Sequence, residues 1–543
     1  MSLGYTTATP AMQDSVAEMV ERMMRPKIKP DGLSFTMGWD VVASYSEKQI
    51  NDLLRVRHVE TNAEMLRTLS FTFKDENPVT EELFDTTYDL KFGAPLVQFN
   101  AHSPGQPMCS LLMEIVEGTE TVPIRVKNPV RSMPRGWKLQ LEDIPLATVR
   151  GLVSEGDAEH SDIVSGEKAV HFSLTDNEMQ HVVLGFKLAN TTYKLTLVPP
   201  ASGEASESLL MKKLDLPRLE KFINRYFQND VGALSYSIAC LNNTKSDDSP
   251  NLQPVKFQFA TFKNKDRGIL SLFIQVKGGF ATGRTEELQS HWQNQWGDNG
   301  IQPIPDRFTA SLLLSSDMLH RVLFQQAFKG QGWDAINLSP TNEAENKISA
   351  RTKKQWTVPE QNYDYGINSK FHVDGFTLDL EKWPLTLTIR QDDPKASPNV
   401  YAHWTIDKEV GWNAHTGIIP LGSEVVKAKF RLCDENDHEQ PRKLDCKIQL
   451  DDVSFSLDMK LNTKVFRMDQ AKGAKNEIHF ETWERGMAGL WTQSPNLALS
   501  SVGLGILRAT NLLTPGGNCI DFNEEIGVKA PKDFLLVGHV LEA

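Results

Sequence analysis

Leu33–Arg57 reads LSFTMGWDVVASYSEKQINDLLRVR, and its two parts have different periods. Phe35, Met37 and Trp39 alternate with Ser34, Thr36 and Gly38, the period-two pattern of a half-buried strand. Ser46 then has the chemistry of a helix N-cap, with a short side-chain oxygen for a first-turn N–H. Behind it Ile50, Leu53 and Leu54 form one apolar helical stripe. The stretch therefore predicts a strand that delivers a helix onto a sheet. The segments beyond Arg57 decide the fold class, because they are long, alternating and mostly without helices between them.

Trp137, Leu139 and Leu141 alternate with Lys138, Gln140 and Glu142. Val170, Phe172 and Leu174 repeat the pattern, as do Val182, Leu184, Phe186 and Leu188, then Tyr193, Leu195 and Leu197. Antiparallel sheets with one wet face read this way, whereas buried parallel strands give continuous apolar runs. Leu214 to Phe227 predicts a helix, and Val255, Phe257, Phe259 and then Leu270, Leu272, Ile274, Val276 predict two more strands. A second strand-to-helix unit lies in IPDRFTASLLLSSDMLHRVLFQQAFKG, with Ser315 or Ser316 as cap and Leu319, Val322, Leu323, Ala327 and Phe328 inward. The longest alternation, Val453 to Leu461, predicts a strand of ~30 Å at about 3.3 Å per residue. The expected fold is α+β and β-rich. Its expected parts are an amphipathic extension over 1–32, one half over 33–208 and a second over 209–543.

With 543 residues and 40% hydrophobic residues, the chain can build a substantial core. A net charge of −12 argues against a general nucleic-acid binder. The N-terminus lacks a basic segment followed by an apolar one, so no signal peptide is expected, and no apolar run is long enough to span a bilayer. Five scattered cysteines (Cys109, Cys240, Cys433, Cys446, Cys519) suit buried thiols in a reduced compartment. The expectation is synthesis in the cytoplasm, with any release by a non-classical route. Val16, Met19, Val20, Met23 and Met24 fall at helical spacing before Arg25, Lys27 and Lys29. Such a helix lies on a membrane or docks its methionine face on the protein's own body.

No catalytic, cofactor-binding or metal-ligating constellation stands out, and no cofactor is expected. There is no H-E-x-x-H, C-x-x-C or G-x-S-x-G, and the glycines of Gly503-Leu504-Gly505 and Pro515-Gly516-Gly517 make no phosphate loop. Asp434, Glu435, Asp437, His438 and Glu439 crowd a loop between Cys433 and Cys446, without the ordered spacing of a cation site. Tryptophan is dense in the second half. Trp292 and Trp296, at helical spacing in EELQSHWQNQW, read as an exposed pair suited to a ligand or a bilayer interface. Arg351, Lys353 and Lys354 precede Trp356 and form either a lipid-headgroup contact or a solvated loop.

Gly38-Trp39-Asp40 with the helix after it resembles the forty-seven-kilodalton family of clostridial botulinum-type toxin gene clusters and its OrfX relatives. The resemblance recurs in NLQPVKFQFATFK (Asn251–Lys263), GILSLFIQV (Gly268–Val276), PIPDRFTASLLLSSDML (Pro303–Leu319) and PKDFLLVG (Pro531–Gly538). It implies the TULIP (tubular lipid-binding) fold, elongated, with long curved antiparallel sheets wrapped around helices and an apolar groove for acyl chains. It also implies an accessory of a toxin cluster or a component of an insecticidal complex, and it transfers no catalytic motif. The leader over 1–32 and the greater length depart from the family.

The function expected from this is non-catalytic binding of a lipid or another apolar ligand. Leu270, Leu272, Ile274, Val276, Leu319, Val322 and Leu323 are the candidate lining, although alternation alone fits a closed core equally. Met19, Met23, Trp292, Trp296, Arg351, Lys353 and Lys354 are the candidate membrane or headgroup contacts. Two rival readings stand beside it. An assembly subunit would hold toxin-complex proteins and no lipid, with a filled interior and an exposed apolar patch. A membrane-active subunit would use the leader on a membrane surface.

Overall fold

In the computed structural model, the opening stretch turns where a strand was expected. Met37 N–H donates to Ser34 O at 2.9 Å and Trp39 N–H to Thr36 O at 3.0 Å. Met37 and Gly38 have positive φ, 53° and 78°, a conformation that glycine reaches without a Cβ clash. Phe35, Met37 and Trp39 are nevertheless buried together, because the turn folds all three into one cluster. The strand itself, β1, spans Val41–Ser46 and is buried throughout. The helix reading holds: Ser46 Oγ accepts from Gln49 N–H at 3.3 Å, and α2 (Glu47–Glu60) buries Ile50, Leu53 and Leu54.

The structure describes residues 8–25, 34–60, 66–76, 80–100, 105–122, 130–132, 136–150, 163–173, 178–188, 194–199, 216–229, 236–243, 253–264, 267–279, 283–298 and 300–320. Farther along it describes 333–337, 346–353, 355–358, 360–366, 368–379, 381–403, 405–432, 442–444, 447–451, 454–458, 466–469, 502–503 and 520–540. The described strands are numbered β1–β32 in chain order.

β1 sits inside a seven-stranded sheet of order β31-β32-β15-β1-β14-β13-β9. These are β9 (Val170–His171), β13 (Pro254–Asn264), β14 (Arg267–Val276), β15 (Ala310–Leu314), β31 (Ile520–Phe522) and β32 (Phe534–Val540). Ala43 of β1 faces Leu272 on one side and Leu312 on the other, both antiparallel. This sheet draws β1 and β9 from before residue 208 and its other five strands from after it.

A second, ten-stranded sheet runs β12-β10-β7-β5-β3-β2 along its main path. The strands of that path are β2 (Thr68–Glu76), β3 (Leu83–Phe92), β5 (Met108–Thr121), β7 (Lys138–Arg150), β10 (Met179–Leu184) and β12 (Ser237–Asn242), and four shorter strands pair with β5 and β7 beside it. Leu69, Phe71 and Phe73 of β2 are buried while Thr68, Ser70 and Thr72 are exposed, the alternation of a sheet with one wet face. The architecture is the expected β-rich α+β one, with long antiparallel strands and few helices. β5 and β25 (Ile419–Leu432) reach 14 residues each. The strand expected at Val453–Leu461 is described over Ser454–Asp458; its remaining positions lie outside the described residues.

Helices cover both faces of the seven-stranded sheet. α2 packs against β14 on one side and against β12 and β4 (Leu96–Phe99) on the other, so it lies between the two sheets. α3 (Leu216–Asn229) buries Leu219, Ile223 and Phe227 in the same space, with Phe227 stacked on Phe186 at 4.1 Å. On the opposite face lie α1 (Pro10–Met24) and α4 (Leu288–Asp298). β9 reaches only Lys256 and Phe257 of β13. Beyond it, two glutamines one helical turn apart on α4 take the place of a strand. Gln289 exchanges hydrogen bonds with the Thr261 backbone, 2.8 Å each way, and Gln293 does the same with Lys263 at 3.1 and 3.0 Å.

Candidate functional site

The expected apolar groove has Leu270, Leu272, Ile274, Val276, Leu319, Val322 and Leu323 as its candidate lining, and those among the described residues are buried in one apolar cluster. Leu270, Leu272, Ile274 and Val276 leave β14 on the face toward α2, while Ile269 and Phe273 leave it on the other. Exposure is 0% for Leu270, Leu272 and Ile274, 1% for Val276 and 2% for Leu319. A side chain with no accessible surface touches no void large enough for a water molecule. Their cluster runs on without a break through Ile50 and Leu54 of α2 to Leu111, Met113, Leu139 and Leu141 of the other sheet. Leu319 ends the short helix α5 (Ser316–Leu319), whose cap is Ser315: its Oγ accepts from Met318 N–H at 3.0 Å. Val322 and Leu323 lie outside the described residues.

Buried polar groups tie this region shut. Asp40 Oδ2 accepts from Val276 N–H at 2.9 Å, and Asp40 O accepts from Ser315 N–H at 2.9 Å. Asp533, before β32, accepts from Ser316 N–H at 3.2 Å and from the Ser34 hydroxyl; burial holds its carboxyl above the usual range. Glu47, first residue of α2, accepts from Phe99 N–H at 2.7 Å and from Lys263 Nζ at 3.0 Å. Trp39 Nε1–H donates to Arg284 O at 3.0 Å. Gly38-Trp39-Asp40 is thus a structural lock.

The candidate membrane contacts lie in two different settings. Met19 and Met23 are buried, since α1 docks its methionine face on the protein's body. Trp292 and Trp296 are fully buried beneath it, 5.3 Å apart edge to face, with Phe273 4.8 Å from Trp292 and Phe35 5.2 Å from Trp296. Their expected exposure is corrected: the polar neighbours in EELQSHWQNQW hide an inner stripe of Leu288, Trp292 and Trp296 at four-residue spacing. Arg351 and Lys353 are exposed, and Lys354 lies outside the described residues. The acidic loop from 433 to 441 does so too.

An open cleft of about 490 Å³ lies beside β13, lined by charged and polar groups that include Glu167, Lys168, His171, Lys256, Gln258 and Glu287. Among the described residues, no group of three or more His, Cys, Asp or Glu side chains gathers to hold a metal ion. No described helix is long and apolar enough to cross a membrane. One surface feature escaped the sequence reading: Ile418, in the turn before β25, and Ile419, the first residue of β25, are 98% and 64% exposed. Their signal was two isoleucines directly after Gly417, where a turn ordinarily places polar residues.

These features define a β-rich α+β protein whose two principal sheets close over the chain's own side chains. It is similar in structure to P47 of Clostridium botulinum E1, with TM-score 0.46 and 11% identity over 93% of this chain and 100% of that one. It is also similar to P47 from Clostridium botulinum A2, with TM-score 0.44 and 13% identity over 93% of this chain and 98% of that one. No protein-family model matches the chain, and no curated protein sequence does.

Proposed function

We propose that the chain is a non-catalytic accessory subunit of a toxin-associated assembly, which holds protein partners by its surface and carries no lipid inside. One observation carries this reading. The residues expected to line an acyl-chain groove are packed against each other and against α2, with 0–2% exposure at every described position. A lipid there would have to displace a close-packed core, and interiors at that density do not yield without loss of stability. The toxin association is supported by the five sequence blocks that resemble the clostridial family, in shared order along the chain.

The test is native mass spectrometry of protein purified without detergent, together with lipid extraction and co-purification with the products of neighbouring genes. The expected result is a lipid-free chain that associates with at least one of those products. A lipid bound at one per chain, with no such association, overturns the proposal in favour of a carrier.

A further inference from the structure

β24 (Thr405–Thr416) and β25 form a long hairpin, closed by the pair Thr416 and Ile419 with only Gly417 and Ile418 between them. Gly417 has φ 60°, and glycine is favoured at the first position of such two-residue turns because φ is positive there. Its N–H donates to Asn368 O at 2.6 Å, bracing the turn against the neighbouring one between β19 (Gln361–Gly366) and β20 (Ser369–Val373). On this braced tip Ile418 is 98% exposed and Ile419 64%. Both are β-branched and stiff, so burying them forfeits little rotamer freedom.

We propose that this turn is a membrane-contact tip that inserts Ile418 and Ile419 into the surface of a lipid bilayer. Size selects the partner. A stable protein interface buries roughly 1,200–2,000 Å², far more than a two-residue turn presents. Partition into lipid requires no complementary surface and gains with each apolar side chain removed from water. Charge selects the lipid. In the rows behind the tip, exposed Lys370 faces His415 on β24 and exposed Asp364 on β19. Lys370 and Asp364 offset each other, so the tip needs no anionic headgroup. The contact is weak and reversible, with a partition constant on the order of 10³ M⁻¹, below that of one myristoyl chain. It goes beyond the accessory reading and stands without it, since an interior free of lipid leaves the outer tip unchanged.

The test is flotation of the full chain with phosphatidylcholine vesicles at millimolar lipid, beside I418S/I419S and V425S. Val425 is a control: it is 71% exposed on the same hairpin but several residues from the turn. All three proteins should share one denaturation midpoint, since the changed side chains are exposed. The full chain and V425S should float, and I418S/I419S should lose about a hundredfold in partition, roughly tenfold for each isoleucine. Absence of flotation by the full chain, equal flotation by I418S/I419S, or an equal loss in V425S overturns the proposal. So does flotation that requires phosphatidylserine, or an I418S/I419S variant that loses a protein partner while still floating.

Discussion

Leu272→Ala distinguishes a closed core from a ligand-lined groove. Leu272 sits in register between Ala43 of β1 and Phe259 of β13, with no accessible surface. The substitution removes three carbons, about 2 kcal/mol of transfer free energy at ~0.8 kcal/mol each. The space left behind adds a cavity cost, and Leu→Ala changes in closed cores total about 3–5 kcal/mol. Ala43 is too small to swell into the gap, which places Leu272→Ala toward the upper end. Guanidinium denaturation followed by tryptophan emission measures this, with Val425→Ala as an exposed control expected to stay within about 0.5 kcal/mol. A lining residue of a lipid-filled groove would behave otherwise, because its removal enlarges a space that already exists. A loss under about 1 kcal/mol, together with disappearance of a co-purifying lipid, would refute the reasoning.

Lys263→Met strands the Glu47 carboxylate in a nearly closed site and should cost about 3–5 kcal/mol, whereas adding Glu47→Gln recovers most of it; a double-mutant cycle in urea reads both. Lys529 Nζ donates to Lys395 O and Ala396 O at 2.8 Å each, and burial lowers its pKa from 10.5 to about 8. Between those values the unfolded chain holds a proton that the folded one has released. Lys529 therefore makes stability rise with pH across that window, by about 3 kcal/mol, and Lys529→Met should remove this contribution from a stability–pH profile. Asp40→Ala withdraws a charged acceptor from Val276 N–H and should cost about 1.5–3 kcal/mol by thermal or chemical unfolding, with Asp40→Asn milder. Cys109 and Cys240 are buried, and burial pushes the Cys240 thiol up to about 12; iodoacetamide at pH 8 with peptide mass mapping should find both unmodified in the folded protein.

Local signals were legible where one residue's chemistry settles one backbone group. Ser46 and Ser315 both cap helices as their positions predict, and the stripe Ile50, Leu53, Leu54 faces inward. The turn at Met37-Gly38 was misread because alternating burial is common to a strand and to a tight turn that folds every second side chain inward. Gly38, directly before a bulky Trp39, carried the missing hint of positive φ. The sheet partners were not legible at all. β1 pairs with β14 and β15 more than 200 residues away, and no local periodicity encodes such pairing. Gln289 and Gln293 were missed for a related reason, since a glutamine pair at four-residue spacing looks like a solvated face until an open strand edge lies beside it.

The blocks that resemble the clostridial family meet in one place. Gly38-Trp39-Asp40 leads into β1, Asn251–Lys263 contains most of β13, and Gly268–Val276 is most of β14. Pro303–Leu319 holds β15 and α5, and Pro531–Gly538 opens β32. Hydrogen bonds join them across the sheet: Val276 N–H and Ser315 N–H donate to Asp40, and Ser316 N–H donates to Asp533. A resemblance concentrated on adjacent buried strands reports the demands of packing, in which each side chain must fit its neighbours to within a methyl group. It does not say which part of the surface a partner would use. Ile418 and Ile419 lie on a different sheet, outside every block, where packing places no demand on the residue type. What distinguishes this chain from its look-alikes on the outside is therefore to be sought at such positions and not in the shared core.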